Sequence, residues 1–211
     1  MVCPLGREWG KRVEWGSVTG YVVAMVLVVT LAVLVVVGLF LFWAVRAYNG
    51  LVRRRNQVEA ASAQIDVQLK RRHDLIPNLI ETVREYAAHE SGTLEAVVQA
   101  RQQAVAVNGA GAGQRAQAEN ELSATLSRLF AVAEAYPDLK ASQNFGALQG
   151  ELADSEDKIA YARQFLNNAV QTYNTSIQAV PTNIVAGLGS FTPAEYFEAR
   201  GEERGNVSAQ F

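Results

Sequence analysis

Cysteine occurs once, at Cys3, and histidine only twice, at His73 and His89. An internal disulfide is therefore excluded, and a metal centre that takes a histidine from each of two helices in a Glu-x-x-His pattern has no residues to build it. Cys3 also lacks the preceding apolar run that a processed, lipidated cysteine needs. Charge of one sign is missing as well: 19 Lys+Arg stand against 21 Asp+Glu, so no overall field draws in nucleic acid. No segment alternates apolar and polar residues for long enough to make a strand. An all-α chain is what these absences leave.

Apolar residues are abundant, and they are concentrated near the start. No charged residue occurs in residues 15–45, and residues 18–45 are almost wholly Val, Leu, Ala, Phe and Met. As a helix that run spans roughly 42 Å, more than the ~30 Å hydrocarbon core of a bilayer. A signal-peptide h-region is far shorter, about 7–15 residues, and a helix apolar on every face does not suit a small soluble domain. The reading is one transmembrane helix at 17–46, after a tail at 1–16. Trp15 and Tyr21 at one end, with Trp43 and Tyr48 at the other, fit aromatic belts. Arg7, Lys11 and Arg12 precede the span while Arg46, Arg53, Arg54 and Arg55 follow it, so the basic flanks leave open which side the C-terminal part occupies.

Helical periodicity resumes after the span. With Ile65 as reference, Leu51, Val58, Leu69, Ile76, Ile80, Val83 and Ala87 fall on one face, which predicts a long helix over residues 51–88. Asn49-Gly50 weakens its junction with the span. Pro77 lies inside it and excludes the hydrogen bond to the His73 carbonyl, which predicts a kink rather than a stop. Leu94, Val97, Val98 and Val105 mark a second helix. Leu122, Leu126, Leu129, Phe130 and Ala133 mark a third at 114–134, which Tyr136-Pro137-Asp138 stops. A fourth, at 142–179, carries Leu148, Leu152, Ile159, Leu166, Val170, Tyr173 and Ile177 and ends at Pro181. Short connections between them favour an antiparallel four-helix bundle with a long kinked first helix, over residues 47–198. Thr192 with Pro193 and Glu195 reads as the start of one more short helix, bearing Phe191, Tyr196 and Phe197. These aromatics are expected at the base of the bundle or at the membrane surface. Residues 199–211 are polar and read as a disordered tail.

Several features invite a chemical reading. Asn108-Gly-Ala-Gly-Ala-Gly113 is rich in glycine but follows a helix and lacks the Gly-Lys-Ser/Thr ending of a phosphate loop, so it reads as a turn. Glu85 and His89 share a helix face and make at most half a metal site. Lys70 and Arg71 point to solvent, whereas Arg72 projects within about 20° of Ile65, inside the apolar stripe, and so requires a partner. Laying the first and fourth helices head to tail puts Arg72 one turn from Glu156 and Asp66 near Arg163. These four form an expected structural polar network. The same alignment brings Tyr48-Asn49 and Tyr173-Asn174 together as a membrane-proximal base, where tyrosine suits a half-wet level.

The stretch Gln64-Ile-Asp-Val-Gln-Leu-Lys-Arg-Arg-His-Asp-Leu-Ile-Pro-Asn-Leu79, followed by Glu134-Ala-Tyr-Pro-Asp-Leu-Lys-Ala141, Asn144-Phe145 and Tyr173-Asn174, resembles the LemA family of bacterial membrane-anchored helical proteins. The resemblance covers roughly residues 48–197. It implies a helical bundle at the bacterial cell membrane and a connection with membrane-protein quality control in the envelope, with a membrane protein as partner; it implies no agreed biochemical activity. No serine or cysteine nucleophile stands beside a base, so no catalytic constellation and no cofactor are read from the residues. The expectation is a non-enzymatic scaffold or interaction module that contacts the bilayer and assembles as a homo-oligomer, without nucleic acid. The alternative is a hydrolytic or metal-dependent enzyme with a polar site around Asp66, His73 and Glu156.

Overall fold

A computed structural model describes residues 15–87 and 89–198. The chain divides into two compact units, Met1–Ala47 and Tyr48–Phe211. In the first, residues 20–42 are helical and exposed along their whole length. They belong to the one helix among the described residues that is long and apolar enough to cross a membrane. A helix satisfies all its backbone polar groups internally, which is what hydrocarbon demands. That helix, α1, is Trp15–Tyr86. Asn49 and Gly50 lie within it, since a glycine costs a helix only about 1 kcal/mol relative to alanine.

The second unit is helical too, and its described residues include no strand. Besides residues 48–86 of α1 it contains α2 (Ser91–Ala106), α3 (Ala112–Ala133), α4 (Pro137–Lys140), α5 (Gln143–Gln178) and α6 (Thr182–Leu188). One core layer joins Ile76, Leu79 and Val83 of α1 to Val97 of α2, Leu122 and Leu129 of α3, and Phe145 of α5. A second joins Ala61, Ile65 and Leu69 of α1 to Ala116 of α3 and to Ile159, Leu166 and Val170 of α5. Residue numbers rise together along α1 and α3, where Asp66 meets Arg115 and Arg72 meets Ser123. They run oppositely along α1 and α5, because the upper layer takes the start of α5 and the lower layer its later turns. Thus α3 is parallel to α1, and α5 is antiparallel to both.

Two proline positions show how local chemistry sets the ends of elements. Pro137, expected only to stop a helix, occupies the first position of α4, where its missing N–H costs nothing. Ser142 then caps α5 by accepting from the Phe145 N–H at 3.5 Å. Pro77 lies inside α1 on its exposed side, with the apolar stripe continuing in phase past it from Ile76 to Ile80 and Val83. It leaves the His73 carbonyl without the usual donor four residues on, and Arg101 Nε of α2 donates to that oxygen at 2.8 Å.

The C-terminal part corrects the sequence reading. No helix starts at Thr192: the short helix is α6, which precedes it, and residues 191–198 have no helical turn. The reason is tertiary. Asn174 of α5 brackets Ala194, its Nδ2 donating to the Ala194 carbonyl and its Oδ1 accepting from the Ala194 N–H, both at 2.9 Å. One helical repeat of seven earlier, Asn167 Oδ1 accepts from the Phe197 N–H at 2.9 Å, and the Tyr173 hydroxyl donates to the Thr192 carbonyl at 3.0 Å. These bonds take the backbone groups a helix would have used. They also seat Phe197 in the second core layer at 0% exposure. Its ring lies 5.7 Å from the Arg115 guanidinium carbon and 5.9 Å from that of Arg163. The expected tails at 1–16 and 199–211 lie almost wholly outside the described residues.

The segment is therefore part of the core rather than an appendage. Phe197→Ala should destabilise the protein by about 3–5 kcal/mol in urea unfolding. A loss of less than about 0.5 kcal/mol, the size of an ordinary surface change, would show that the segment is dispensable.

Candidate functional site

Between the two core layers the three long helices place charge where apolar residues would be expected. Arg72 of α1 is 1% exposed and Glu119 of α3 is 2% exposed. The Arg72 guanidinium reaches Glu119 Oε2 with Nη2, while Nη1 donates to Ser123 Oγ at 2.8 Å and to Glu156 Oε2 of α5 at 2.5 Å. Nη2 also donates to the Glu119 carbonyl at 3.3 Å. Ser123 completes the ring, donating from its hydroxyl to Glu156 Oε1 at 3.0 Å. One planar cation thus ties three helices together, a task for which its fork of donors is suited.

His73, beside Arg72, is buried as well, and its Nε2 lies 3.0 Å from Glu119 Oε1 without the alignment of a hydrogen bond. Burial pushes the Glu119 carboxyl up, but the adjacent His73 and the Arg72 guanidinium outweigh it and hold the group below its ordinary value of 4.5. Glu156 differs, because its side chain is 46% exposed and water shares its charge. The fully desolvated pair is therefore Arg72 with Glu119.

The structure brings together Arg72 and Glu156 but separates the other two members of the expected network into different contacts. Asp66 pairs with Arg115 of α3, not with Arg163. Arg163 instead donates to Asn120 Oδ1 at 3.3 Å and lies beside the Phe197 ring. The simple pairing of α1 with α5 omitted α3, which fills the space between. Sequence reasoning also missed Glu119 and Arg115. The signal for Glu119 was present: it sits three residues before Leu122 and seven before Leu126, on the same apolar face, as Arg72 does on α1.

At the expected base, Tyr48 is 46% exposed and its ring stands edge-on to Phe191, with centroids 5.4 Å apart. Gly189 permits this approach, since a Cβ there would come within 2.6 Å of Phe191 and 3.1 Å of Tyr48. Asn49 contributes its backbone oxygen, which accepts from Arg53 Nε at 3.4 Å. Tyr173 does not take the half-wet position envisaged for it: it is 3% exposed, and its hydroxyl is used by Thr192. Asn174 is likewise engaged with Ala194. His89 and Glu85 are exposed, and no group of three or more His, Cys, Asp or Glu among the described residues is placed to hold a metal.

Three measurements follow from this geometry. Arg72→Leu should cost about 3–5 kcal/mol, because it leaves the buried Glu119 without its cation, and Glu119→Leu less, because Glu156 still holds Arg72; the double variant should lose less than their sum. Glu156→Leu should be milder, about 1 kcal/mol, as its carboxylate is half in water. Strict additivity of Arg72→Leu and Glu119→Leu would mean that the two do not interact. Because the folded Glu119 value is lowered, its contribution is complete above 4.5 and is lost as pH falls through the folded value; stability should drop with acid, and Glu119→Gln should flatten that part of the profile. Finally, Arg101→Leu orphans the His73 carbonyl and should cost about 1–3 kcal/mol. Pro77→Ala, which restores an N–H to that carbonyl, should recover part of this loss in the double variant.

The LemA family model matches residues 61–211. Magnetosome protein MamQ 2 of Paramagnetospirillum magneticum is 27% identical, over 72% of this chain and 65% of its own length. Magnetosome protein MamQ of Magnetospirillum gryphiswaldense is 25% identical with the same shares. The chain thus spans just under two thirds of those relatives. Protein LemA of Metamycoplasma hominis is 26% identical, over 81% of this chain and 78% of its own length. The family match takes in Asp66, Arg72, Arg115, Glu119, Glu156 and Phe197, the residues that fasten α1, α3 and α5 to one another and to the C-terminal segment, and the chain belongs to the LemA family.

Proposed function

We propose that this chain is a single-pass protein of the bacterial cell membrane whose helical unit serves as a non-enzymatic scaffold or interaction module. The observation that carries the reading is that the charged side chains between α1, α3 and α5 are paired with one another. Glu119 and Glu156 both hold Arg72, Asp66 holds Arg115, and the His73 carbonyl is occupied by Arg101. A general base or nucleophile needs a free lone pair facing a substrate. A cluster of this kind fixes instead which helix meets which, as buried polar groups do in some other helical assemblies. The relatives are named for a cellular structure or for the family, and none of those names states a reaction.

The partners that follow are the bilayer, further copies of the chain, and a membrane protein of envelope quality control. Confinement by an apolar helix to the plane of a membrane raises the effective concentration of neighbouring copies, so weak lateral contacts suffice for homo-oligomers. An enzymatic site around Asp66, His73 and Glu156 is the competing reading. Elemental analysis of the purified protein separates the two: stoichiometric transition metal would overturn the scaffold reading. Crosslinking in native membranes should trap homo-oligomers at natural expression, and proximity labelling should recover membrane proteins. Monomers alone would remove the oligomer from the proposal.

A further inference from the structure

The end of the helical unit that contains Tyr48 has a composition unlike the rest of it. No charged residue occurs between Arg163 and Glu195. Within that stretch Val180 is 81% exposed, Ile184 57% and Leu188 86%, while Val185 and Ala186 of the same short helix are buried. Ile184 and Leu188, four apart, share the outer face of α6. An ordinary water-facing surface of this extent would carry charge; a cluster of aliphatic side chains at such exposure marks a surface with a partner.

The identity of that partner follows from where the cluster lies. The turn after α6 packs on Tyr48, through Gly189 and the Phe191 ring. Tyr48 is three residues beyond Val45, where the apolar run ends, so by chain reach alone it lies within about 11 Å of that point. Exposed Arg53, Arg54 and Arg55 follow at the next turns of α1, and no acidic residue precedes Glu59 in that region. Aliphatic side chains next to the end of a membrane-spanning run, with arginines one to two turns beyond, match the order of acyl chains and anionic headgroups in a leaflet.

We propose that α6 is a second membrane contact: its Ile184 and Leu188 face, with Val180, inserts into the interfacial layer of the bilayer, and Arg53, Arg54 and Arg55 lie at the level of anionic headgroups. The bilayer is favoured over a second copy because the turn that follows the exposed cluster packs on Tyr48, three residues along the chain from the end of the apolar run. The proposal rests on the membrane-anchored reading of residues 17–46. Two attachments, one spanning and one lying in the interface, would restrict the tilt of the helical unit against the membrane. A rigid presentation of that kind serves a scaffold.

The test uses the full chain in a Cys3→Ser background, reconstituted in vesicles of phosphatidylcholine and phosphatidylglycerol. Single cysteines carry an environment-sensitive fluorophore at Leu188, at Ile184, at exposed Gln149 about 36 Å along α5 from Tyr173, and at Leu31 in the apolar run. Expected are blue-shifted emission and severalfold stronger quenching by headgroup-proximal nitroxide lipids at 188 and 184 than at 149. Leu188→Asp with Ile184→Cys should return the probe at 184 to the behaviour of 149. If 188 and 184 are quenched by aqueous iodide like 149, while 31 is quenched by lipid, α6 is not in the membrane and this proposal alone fails. A probe at 31 that lipid quenchers do not reach overturns the anchoring and the α6 contact together. Shielding of 188 from both quenchers, with disulfide crosslinking between Leu188→Cys copies, would assign the face to a second copy and overturn the proposal.

Discussion

A guanidinium that is almost wholly buried constrains everything packed around it. A guanidinium carries five N–H donors and no acceptor, so the fold has to supply acceptors around the edge of its plane. Glu119 and the Ser123 hydroxyl come from α3, and Glu156 comes from α5. Apolar stripes can slide past one another by a turn at small cost, since leucine resembles leucine. A forked cation between two carboxylates cannot slide, because a shift of one turn, about 5.4 Å, leaves desolvated charge on both sides. The register of α1, α3 and α5 is fixed at this level, and the apolar layers above and below complete the packing.

The same logic extends downwards from Arg72. Asp66 and Arg115 set the register of α1 against α3 a second time, roughly two turns lower. Phe197 lies within reach of both the Arg115 and Arg163 guanidiniums, whose charge is attracted to the face of its ring. The C-terminal segment that carries it is read by side-chain amides, Asn174 and Asn167, which satisfy a backbone donor and acceptor as a neighbouring strand would. An extended segment can lie on a helical core without orphaned backbone groups only where such amides are provided. Seven-residue spacing on α5 against three residues of extended chain gives matching lengths, about 10 Å in each case.

Much of this was legible beforehand, and the failures have physical causes. Helices α1, α2, α3 and α5, the apolar span and the need of Arg72 for a partner all follow from periodicity, which reports a helix face well because packing is what selects the face. The contact of Arg72 with Glu156 followed from counting turns along two antiparallel helices. Counting turns along α1 and α5 alone leaves out α3, which supplies Glu119 to Arg72 and Arg115 to Asp66. Three-helix junctions are not visible to pairwise counting. The segment after Pro181 failed differently. Thr192, Pro193 and Glu195 carry a good helix-start pattern, yet capping is worth about 1 kcal/mol, less than burial of a phenylalanine with several backbone hydrogen bonds. Nothing local in residues 191–198 announces that Asn167 and Asn174, some twenty to thirty residues earlier, hold them.

These two kinds of attachment answer different needs, and together they explain why the core holds so much polarity. Buried ion pairs add little net stability over well-packed apolar residues, because desolvation cancels most of their attraction. A helical unit selected only for stability would have no use for Arg72, Glu119 and His73 at its centre. One that must keep a single register does have a use for them, since the uncharged stretch at residues 164–194 offers few directional contacts beyond the Asn167, Tyr173 and Asn174 bonds. Apolar contact tolerates sliding and rotation. The buried pair of Arg72 with Glu119 does not, and the register of α1, α3 and α5 is inherited from it.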